Sequence, residues 1–125
     1  MNRHLEIVDK PWGYEQLLPS PYINDEKPPK YRSKILVVYP KHSLSLQYHM
    51  FRDEYWTVLH GSGIVTLEKK EYRAYVGSEW WIPRERRHRL EASAKEPIVI
   101  KEYSTGDVWN TDDIIRIEDK YGRLK

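Results

Sequence analysis

Cysteine is absent from the sequence, and so is any long apolar run. Without cysteine, neither disulfide bonds nor thiolate metal ligands are available, and a cytoplasmic protein is the expectation. No stretch is long and apolar enough to cross a bilayer or to form the core of a signal peptide, and the N-terminus MNRHLEIVDK is polar. We therefore expect neither membrane association nor export.

A dominant charge of one sign is also missing. Lys and Arg number 21 against 19 Asp and Glu, a formal net charge of +2, and the two signs are interspersed. This pattern argues against a basic stripe for nucleic acid, so no nucleic-acid partner is expected. A few cations could still converge on an anionic small molecule.

Phenylalanine is scarce, with one residue against ten tyrosines and five tryptophans. Tyrosine and tryptophan favour strands, and their amphipathic rings suit half-wet pockets. The simpler explanation is packing in a β-rich core, and we interpret Trp12, Trp80 and Trp81 in this way.

Helical periodicity is lacking in every window of ten or more residues. From Lys34 onward, short β-like runs recur at the spacing typical of sandwiches and barrels: KILVVYP, SLSLQYH, EYWTVLH, GIVTLEK, EYRAYVG, SEWWIP, HRLEA and EPIVIKEY. The sequence therefore predicts an all-β jelly roll. The exception is TDDIIRIEDKYG near the C-terminus, where we expect a turn or two of helix capped by Thr111 or Asp112.

The chain is predicted to form one domain. Its 125 residues suit a single hydrophobic core. The proline-rich segment Leu18–Lys30 is interpreted as an excursion over the surface rather than a domain boundary. We assign residues 1–125 to this domain, with its core at about 31–108 and an extension at each end.

The stretch LSLQYHMFRDEYW carries the first candidate site. On a strand, Ser45, Gln47 and His49 point to one face. An amide and an imidazole on one face are poor core material but reasonable metal ligands. Glu54 follows closely enough for a short turn to return its carboxylate to the same place.

A second segment, GSEWWIPRERRHRLEA, adds His88 at the start of a strand after the turn at Pro83. The patterns QxHxxxxE and GxxxxxPxExxH have the spacing of the two metal-binding motifs of the cupins, whose first motif usually reads HxHxxxxE. The sequence thus resembles a cupin in which glutamine replaces the first histidine. The resemblance implies four metal ligands: Gln47, His49, Glu54 and His88.

Four further segments resemble the cupin region of type II mannose-6-phosphate isomerases: KPWGYEQLL, KILVVYPKHSLSLQYHMFRDEYWTVLHGSGIVTL, WWIPRERRHRL and TDDIIRIEDKYGR. They run in order from about Lys10 to Arg123. The resemblance implies a cupin double-stranded β-helix that interconverts mannose 6-phosphate and fructose 6-phosphate through a cis-enediol. It also implies one divalent metal ion, and zinc, manganese, cobalt, iron or nickel would suit these ligands.

The resemblance suggests further roles inside these segments. Glu54 could be both ligand and proton-transferring base, or Lys34 could reach the pocket from a neighbouring strand. Arg52 is assigned to catalysis as well. Arginine pairs two phosphate oxygens at once, so we expect the phosphate to bind among Arg52, Arg89, Arg116 and Arg123, with Arg52 and Arg123 preferred.

Three residues depart from the family pattern. Met50, Phe51 and Tyr55 stand where the family has histidines, which bears on substrate choice or turnover more than on metal binding. A nucleotide-transferase segment is absent from the sequence, so no GTP binding of that kind is expected. The expected partners are a small phosphorylated sugar and a second copy in a homodimer.

Two other functions stay open at this stage. One is a non-catalytic cupin that binds a sugar or sugar nucleotide as an accessory or regulatory protein. The other is an iron-dependent oxygenase, which fits less well because such enzymes usually present more histidines.

Overall fold

The computed structural model describes residues 6–18, 31–106 and 113–124. Within these ranges the chain forms eleven β-strands and no helix. The strands are β1 (Ile7–Lys10), β2 (Gly13–Leu17), β3 (Tyr31–Val38), β4 (Leu46–Tyr48), β5 (Arg52–His60), β6 (Gly63–Leu67), β7 (Lys70–Ala74), β8 (Glu79–Ile82), β9 (His88–Ala92), β10 (Ile98–Gly106) and β11 (Ile115–Glu118). The predicted all-β class is confirmed.

The strands form two antiparallel sheets. The larger sheet has the order β1-β2-β3-β10-β5-β8, and the smaller has the order β11-β4-β9-β6-β7. Strands far apart in sequence lie side by side in both sheets, as β3 does with β10 and β4 with β9. Such crossovers are typical of a jelly roll. Strands β1 and β2, which fall in the predicted N-terminal extension, belong to the larger sheet.

Alternation along the central strands builds an apolar interior. On β10, Ile98 and Ile100 are buried while Lys101 is exposed, and on β5 Val58 is buried while Leu59 is exposed. Burying one such aliphatic side chain contributes about 1.5 to 3 kcal/mol. We call the region around these side chains the apolar half, and its residues are Leu36, Val38, Val58, Val65, Ala74, Leu90, Ala92, Ile98 and Ile100.

The same alternation carries polar side chains inward at the other end of the strands. On β10 the inward series continues from Ile100 to Glu102 and Ser104, and Glu102 lies opposite Lys34 of β3 in the strand register. We call this region the polar half, and its residues are Lys34, His49, Glu54, His88, Glu102 and Ser104. The division of the interior follows directly from the order of residues along each strand.

The C-terminal helix predicted for TDDIIRIEDKYG is wrong within the described residues. Ile115–Glu118 is a strand, in which Ile115 pairs with Tyr48 and Arg116 with Gln47. Pairing with the open edge of β4 satisfies the backbone and overrides a weak local preference. Thr111 and Asp112, the predicted caps, lie outside the described residues.

Two of the three tryptophan interpretations are confirmed. Trp12 is buried in the core, and Trp80 packs against it. Trp81 is 63% exposed on the edge strand β8, so its assignment to packing is wrong. Of the predicted surface excursion, only Leu18 lies among the described residues.

Candidate metal centre

Three buried side chains converge in the polar half. His49 follows β4, Glu54 lies in β5, and His88 begins β9. The Nε2 atom of His49 is 3.1 Å from Oε2 of Glu54, and Nε2 of His88 is 3.5 Å from Oε1 of the same carboxylate. One potential ligand atom from each residue lies within 4.8 Å of the other two. The structure therefore brings together three of the four predicted ligands.

Backbone carbonyls orient both imidazoles. Nδ1 of His49 lies 2.6 Å from the carbonyl oxygen of Asp113, and Nδ1 of His88 lies 2.8 Å from that of Arg86. A carbonyl only accepts, so each Nδ1 carries the proton that it donates. In the neutral form of each ring this leaves the lone pair of Nε2 at the centre, which is the usual arrangement of a metal-binding histidine.

The donor set fits a divalent metal ion. Nε2 of His88 is buried and has no hydrogen-bond partner among the described residues. Two imidazole nitrogens and one carboxylate that face a common point form a donor set that a divalent cation can share. Burial lowers the pKa of His88, which keeps this ring neutral and able to ligate. Imidazole with carboxylate is a donor set for several transition metals, so it does not select one.

Gln47, the predicted fourth ligand, lies opposite His88 in the pairing of β4 with β9. Its Oε1 accepts a hydrogen bond of 2.7 Å from Oγ of Ser45. The residue is half-buried and lines the same cavity as Glu54. A hydrogen bond from Ser45 uses one lone pair of the amide oxygen and leaves the other.

Arg52 lies against two of the ligands. Its Nε donates to Oε2 of Glu54 at 3.2 Å, and its terminal nitrogen is 3.3 Å from Nε2 of His49. Burial alone would raise the pKa of Glu54, but its contacts with His49 and with the guanidinium of Arg52 hold it well below its usual range. Glu54 is therefore a carboxylate at neutral pH, as a metal ligand must be.

A solvent-open cavity lies beside the centre, and Glu54 and Gln47 form part of its wall. Its described lining contains five Lys or Arg residues and three Glu residues, so positive charge is in excess. The lining residues are Lys10, Trp12, Glu15, Lys34, Leu36, Leu44, Gln47, Arg52, Glu54, Glu102, Ile114, Arg116 and Arg123.

Lys34 lies between two carboxylates in this cavity. Its Nζ lies 3.0 Å from Oε2 of Glu15 and 3.4 Å from Oε2 of Glu102. Burial alone would lower the pKa of Lys34, but the two carboxylates outweigh it and the pKa is raised. Lys34 is therefore an ammonium group at neutral pH. It can donate a proton or a hydrogen bond, and it is unsuited to the role of base.

Glu102 is a buried carboxyl group that the sequence did not single out. It accepts hydrogen bonds from Nε1 of Trp56 at 3.3 Å and from Oγ of Ser104 at 3.3 Å. Burial and the nearby charge of Glu54 raise its pKa, although Lys34 opposes them. The sequence pattern could have indicated this buried carboxyl group, because Glu102 continues the inward-facing series of Ile98 and Ile100 on β10.

The four predicted phosphate-binding arginines separate into two groups. Arg52, Arg116 and Arg123 line the cavity. Arg89 does not, and its terminal nitrogen lies 3.3 Å from Oε2 of Glu118. Nε of Arg116 is buried without a hydrogen-bond partner in the described part of the chain. Arg123 makes two side-chain bonds to Asp119, at 2.9 and 3.1 Å. Arg116 is thus the arginine with the most capacity left for a ligand.

Asp113 is a second residue that sequence reasoning missed. Its carboxylate accepts from the backbone N–H of Met50 at 2.8 Å and of Phe51 at 3.1 Å. Together with the bond from His49, these contacts hold the loop between His49 and Glu54 in place. The pairing joins residues more than sixty positions apart, so local pattern carries no signal for it.

The two-sheet fold is that of a cupin, and solved structures share it. A cupin-2 domain from Rhodospirillum rubrum matches with a TM-score of 0.70 at 15% identity, over 90% of this chain and 82% of that one. The capsular polysaccharide assembling protein CapF from Staphylococcus aureus matches with a TM-score of 0.73 at 15% identity, over 94% of this chain and 35% of that one. The predicted cupin fold is confirmed.

The family is also defined by sequence. Residues 1–119 match the family described as "Mannose-6-phosphate isomerase C-terminal", and the chain belongs to that family. It is 33% identical over 121 residues to a mannose-1-phosphate guanylyltransferase of Klebsiella pneumoniae. It is 35% identical over 120 residues to the alginate biosynthesis protein AlgA of Pseudomonas putida. These matches cover 97% and 96% of this chain but only 24% and 23% of the relatives. Among the described residues, no helix is long and apolar enough to cross a membrane.

Proposed function

We propose that the protein is a metal-dependent sugar-phosphate isomerase that interconverts mannose 6-phosphate and fructose 6-phosphate. One observation carries the proposal: a buried set of metal-ligand atoms shares Glu54 with a cavity that has an excess of positive charge. A metal-dependent isomerase of phosphorylated sugars needs both features, because its substrate has a carbonyl group at one end and a phosphate at the other.

His49, Glu54 and His88 would hold the metal ion, with Gln47 as the fourth ligand. A bound divalent ion supplies Lewis acidity that stabilises the negative charge developing on the carbonyl oxygen. Glu54 is less suited to a second role as base. Its low pKa makes it a weak acceptor of protons, and its oxygens face the histidines and Arg52.

We assign the proton transfer to Glu102 and Lys34. A base must remove the proton from C2 and return it to C1 of the resulting cis-enediol, and the hydroxyl proton must pass from O2 to O1. Glu102 lines the cavity, and its raised pKa makes it a stronger base than an exposed carboxylate. Lys34, bonded to it, donates a hydrogen bond to the sugar oxygens as their charge changes. Arg52, which contacts two of the ligands, also lines the cavity that would hold the sugar phosphate.

The phosphate is assigned to Arg116 and Arg123. Both line the cavity, and Arg116 has a buried nitrogen without a partner in the described residues. A charge-assisted bond of this kind contributes about 1.5 to 3 kcal/mol. Arg89 has no such role, because it is bonded to Glu118 away from the cavity.

The experiment is a direct assay of the metal-loaded protein. Protein loaded with manganese or cobalt is incubated with mannose 6-phosphate, and fructose 6-phosphate is separated and quantified. The matched pair of variants is His88→Ala, which removes a ligand, and His60→Ala, which removes an exposed histidine 4.0 Å from Glu96. We expect turnover in the parent and in the His60 variant but not in the His88 variant.

Binding without turnover would favour the non-catalytic alternative. If mannose 6-phosphate protects the loaded protein against thermal unfolding but no fructose 6-phosphate forms, the protein is a sugar-phosphate-binding cupin. Met50, Phe51 and Tyr55 would then be the residues to exchange for histidine, since they are the positions next to the ligands in sequence at which the chain departs from the family pattern.

The homodimer and the cytoplasmic location stay predictions. Tyr55 and Trp81 are neighbours on the outer face of the larger sheet, and both are exposed, at 40% and 63%. Aromatic side chains on a sheet face favour an interface. Light scattering would test the dimer, which requires twice the 15.1 kDa mass of the chain.

A further inference from the structure

Arg52 lies against atoms that a metal ion would need. Its terminal nitrogen is 3.3 Å from Nε2 of His49, and its Nε donates to Oε2 of Glu54 at 3.2 Å. Nδ1 of His49 faces the carbonyl oxygen of Asp113, so Nε2 is the atom that this ring offers to an ion. An ion bound to Nε2 uses the lone pair of that atom, and Nε2 then cannot accept a hydrogen bond from Arg52.

Electrostatics acts in the same direction. A guanidinium group stays protonated in proteins, and the side chain of Arg52 is only 11% exposed. A divalent ion at the same ligands would lie close to this charge in a region screened little by water, where like charges repel strongly. The bound ion therefore disfavours the position that Arg52 occupies.

We propose that Arg52 and the metal ion compete for His49 and Glu54, and that metal binding releases the guanidinium to an anion in the adjoining cavity. Arg52 lines that cavity together with Arg116 and Arg123, so a phosphate there lies among three arginines once Arg52 is released. The anion part rests on the proposed function, whereas the competition rests only on the contacts of Arg52.

The competition predicts a coupling between two binding sites. Without metal, Arg52 is held by the ligands and contributes little to anion binding. With metal, it becomes available, so the ion strengthens anion binding. Linkage then requires the anion to strengthen metal binding by the same factor. The centre would load with metal most tightly when a phosphorylated compound is present.

An opposite role for Arg52 makes an opposite prediction. If the guanidinium only positions Glu54 and stays in place when the ion binds, its removal leaves the carboxylate less ordered and weakens metal binding. The direction of the change in metal affinity therefore separates competition from positioning.

The first test measures metal affinity by calorimetry with manganese or cobalt. We expect Arg52→Gln to bind the ion at least about fivefold more tightly, at the low end of typical coupling factors. The matched control is Arg84→Gln, which removes the same charge from an arginine that lies 3.7 Å from Asp53 at the surface. Unchanged or weaker binding by the Arg52 variant, relative to this control, would overturn the competition.

The second test measures the affinity for mannitol 1-phosphate, a phosphorylated polyol without a carbonyl group, with and without metal. We expect the metal to tighten binding in the parent by about fivefold or more, and by clearly less in Arg52→Gln. The ion's own attraction for phosphate acts in both proteins, so the difference isolates Arg52. An equal effect in both proteins, or no binding of the phosphate in either, would overturn the release of Arg52 to an anion.

Both tests are binding equilibria and are independent of turnover. Coupling without isomerase activity would leave the inference intact and overturn the proposed reaction. Isomerase activity in the parent, with no change in metal affinity in Arg52→Gln, would support the proposed reaction and overturn the inference.

Discussion

The apolar half and the polar half of the interior are built by the same strands but differ in what holds them. In the apolar half, aliphatic side chains such as Ile98 and Val58 need no specific partner. In the polar half, Glu102 has three donors, from Trp56, Ser104 and Lys34. Buried charges are costly even when they are paired. The apolar half therefore accounts for stability, and the polar half is explained by function.

Trp56 joins the two halves. Its ring packs against His88, with the ring centroids 5.4 Å apart and the planes at 81°. Its Nε1 lies 3.2 Å from Glu54 and 3.3 Å from Glu102, so one donor serves a metal ligand and the proposed base. A single side chain thus fixes the distance between these two carboxyl groups.

The largest expected effect lies in the polar half and concerns the metal. His88→Ala removes a direct ligand, so metal affinity should fall by more than the roughly tenfold to hundredfold seen when a residue that only supports a ligand is changed. Isomerase activity should fall with it. Elemental analysis of dialysed protein measures the metal content, and full retention would refute the metal centre.

Glu102→Gln should slow the reaction while leaving the metal in place. Loss of a proton-transferring group costs about a hundredfold to ten-thousandfold in rate. The variant keeps the shape of the side chain and an oxygen that can accept from Nε1 of Trp56, so KM should change much less than kcat. A normal rate, measured on protein of confirmed metal content, would remove Glu102 from the mechanism.

Ile100→Ala tests the apolar half. The free energy of unfolding should fall by about 2 to 5 kcal/mol, because the substitution leaves a cavity in a fully buried site. Urea titration measures the loss, with Val76→Ala as an exposed control. Metal bound per folded molecule should not change. A variant of normal stability that had lost its metal would contradict the division of roles.

The pH dependence of stability should differ between the parent and Glu102→Gln. The pKa of Glu102 is raised in the folded protein, so the folded state binds more protons than the unfolded state just above the ordinary value of 4.5. The stabilisation is present below that pH and is lost as the pH rises through the folded pKa. Each unit of difference contributes about 1.4 kcal/mol. Urea titrations from pH 4 upward measure the free energy of unfolding, and this decrease with pH should appear in the parent and not in Glu102→Gln.

The smallest expected effect is that of chelation. Removing the metal should leave the β-type far-UV spectrum and a cooperative thermal transition, because a core of this size does not need an ion to fold. Scanning calorimetry before and after treatment with chelator measures both midpoint and cooperativity. A broad, non-cooperative transition in the stripped protein would mean that the apolar half depends on the polar one.

The parts of the molecule that were predictable follow from alternation and spacing. Period-two runs predict strands, and the two motifs predict His49, Glu54 and His88 as neighbours. Alternation also bears on Arg89, because a residue next to the inward His88 must point outward. The helix expected near Ile115 is absent, because its apolar residues are too few for periodicity to distinguish a helix from a strand. Pairing with the free edge of β4 makes Ile115–Glu118 a strand.

The contacts that were not predictable depend on strand register. The bond between Lys34 and Glu102 joins β3 to β10, and the bond between Lys34 and Glu15 joins β3 to β2. Nothing in the local sequence says which residues lie opposite each other. The contacts of Arg52 with His49 and Glu54 likewise depend on the side-chain rotamer of Arg52, which the sequence does not specify.

The bond from His49 to the carbonyl of Asp113 makes the metal centre depend on a segment that supplies none of its ligands. Asp113 follows every ligand residue in the chain, and it also holds the loop after His49 through Met50 and Phe51. A protein shortened before Asp113 would keep all the ligands and lose the contact that orients one imidazole. The orientation of the centre is thus set from outside the two motifs that supply its ligands.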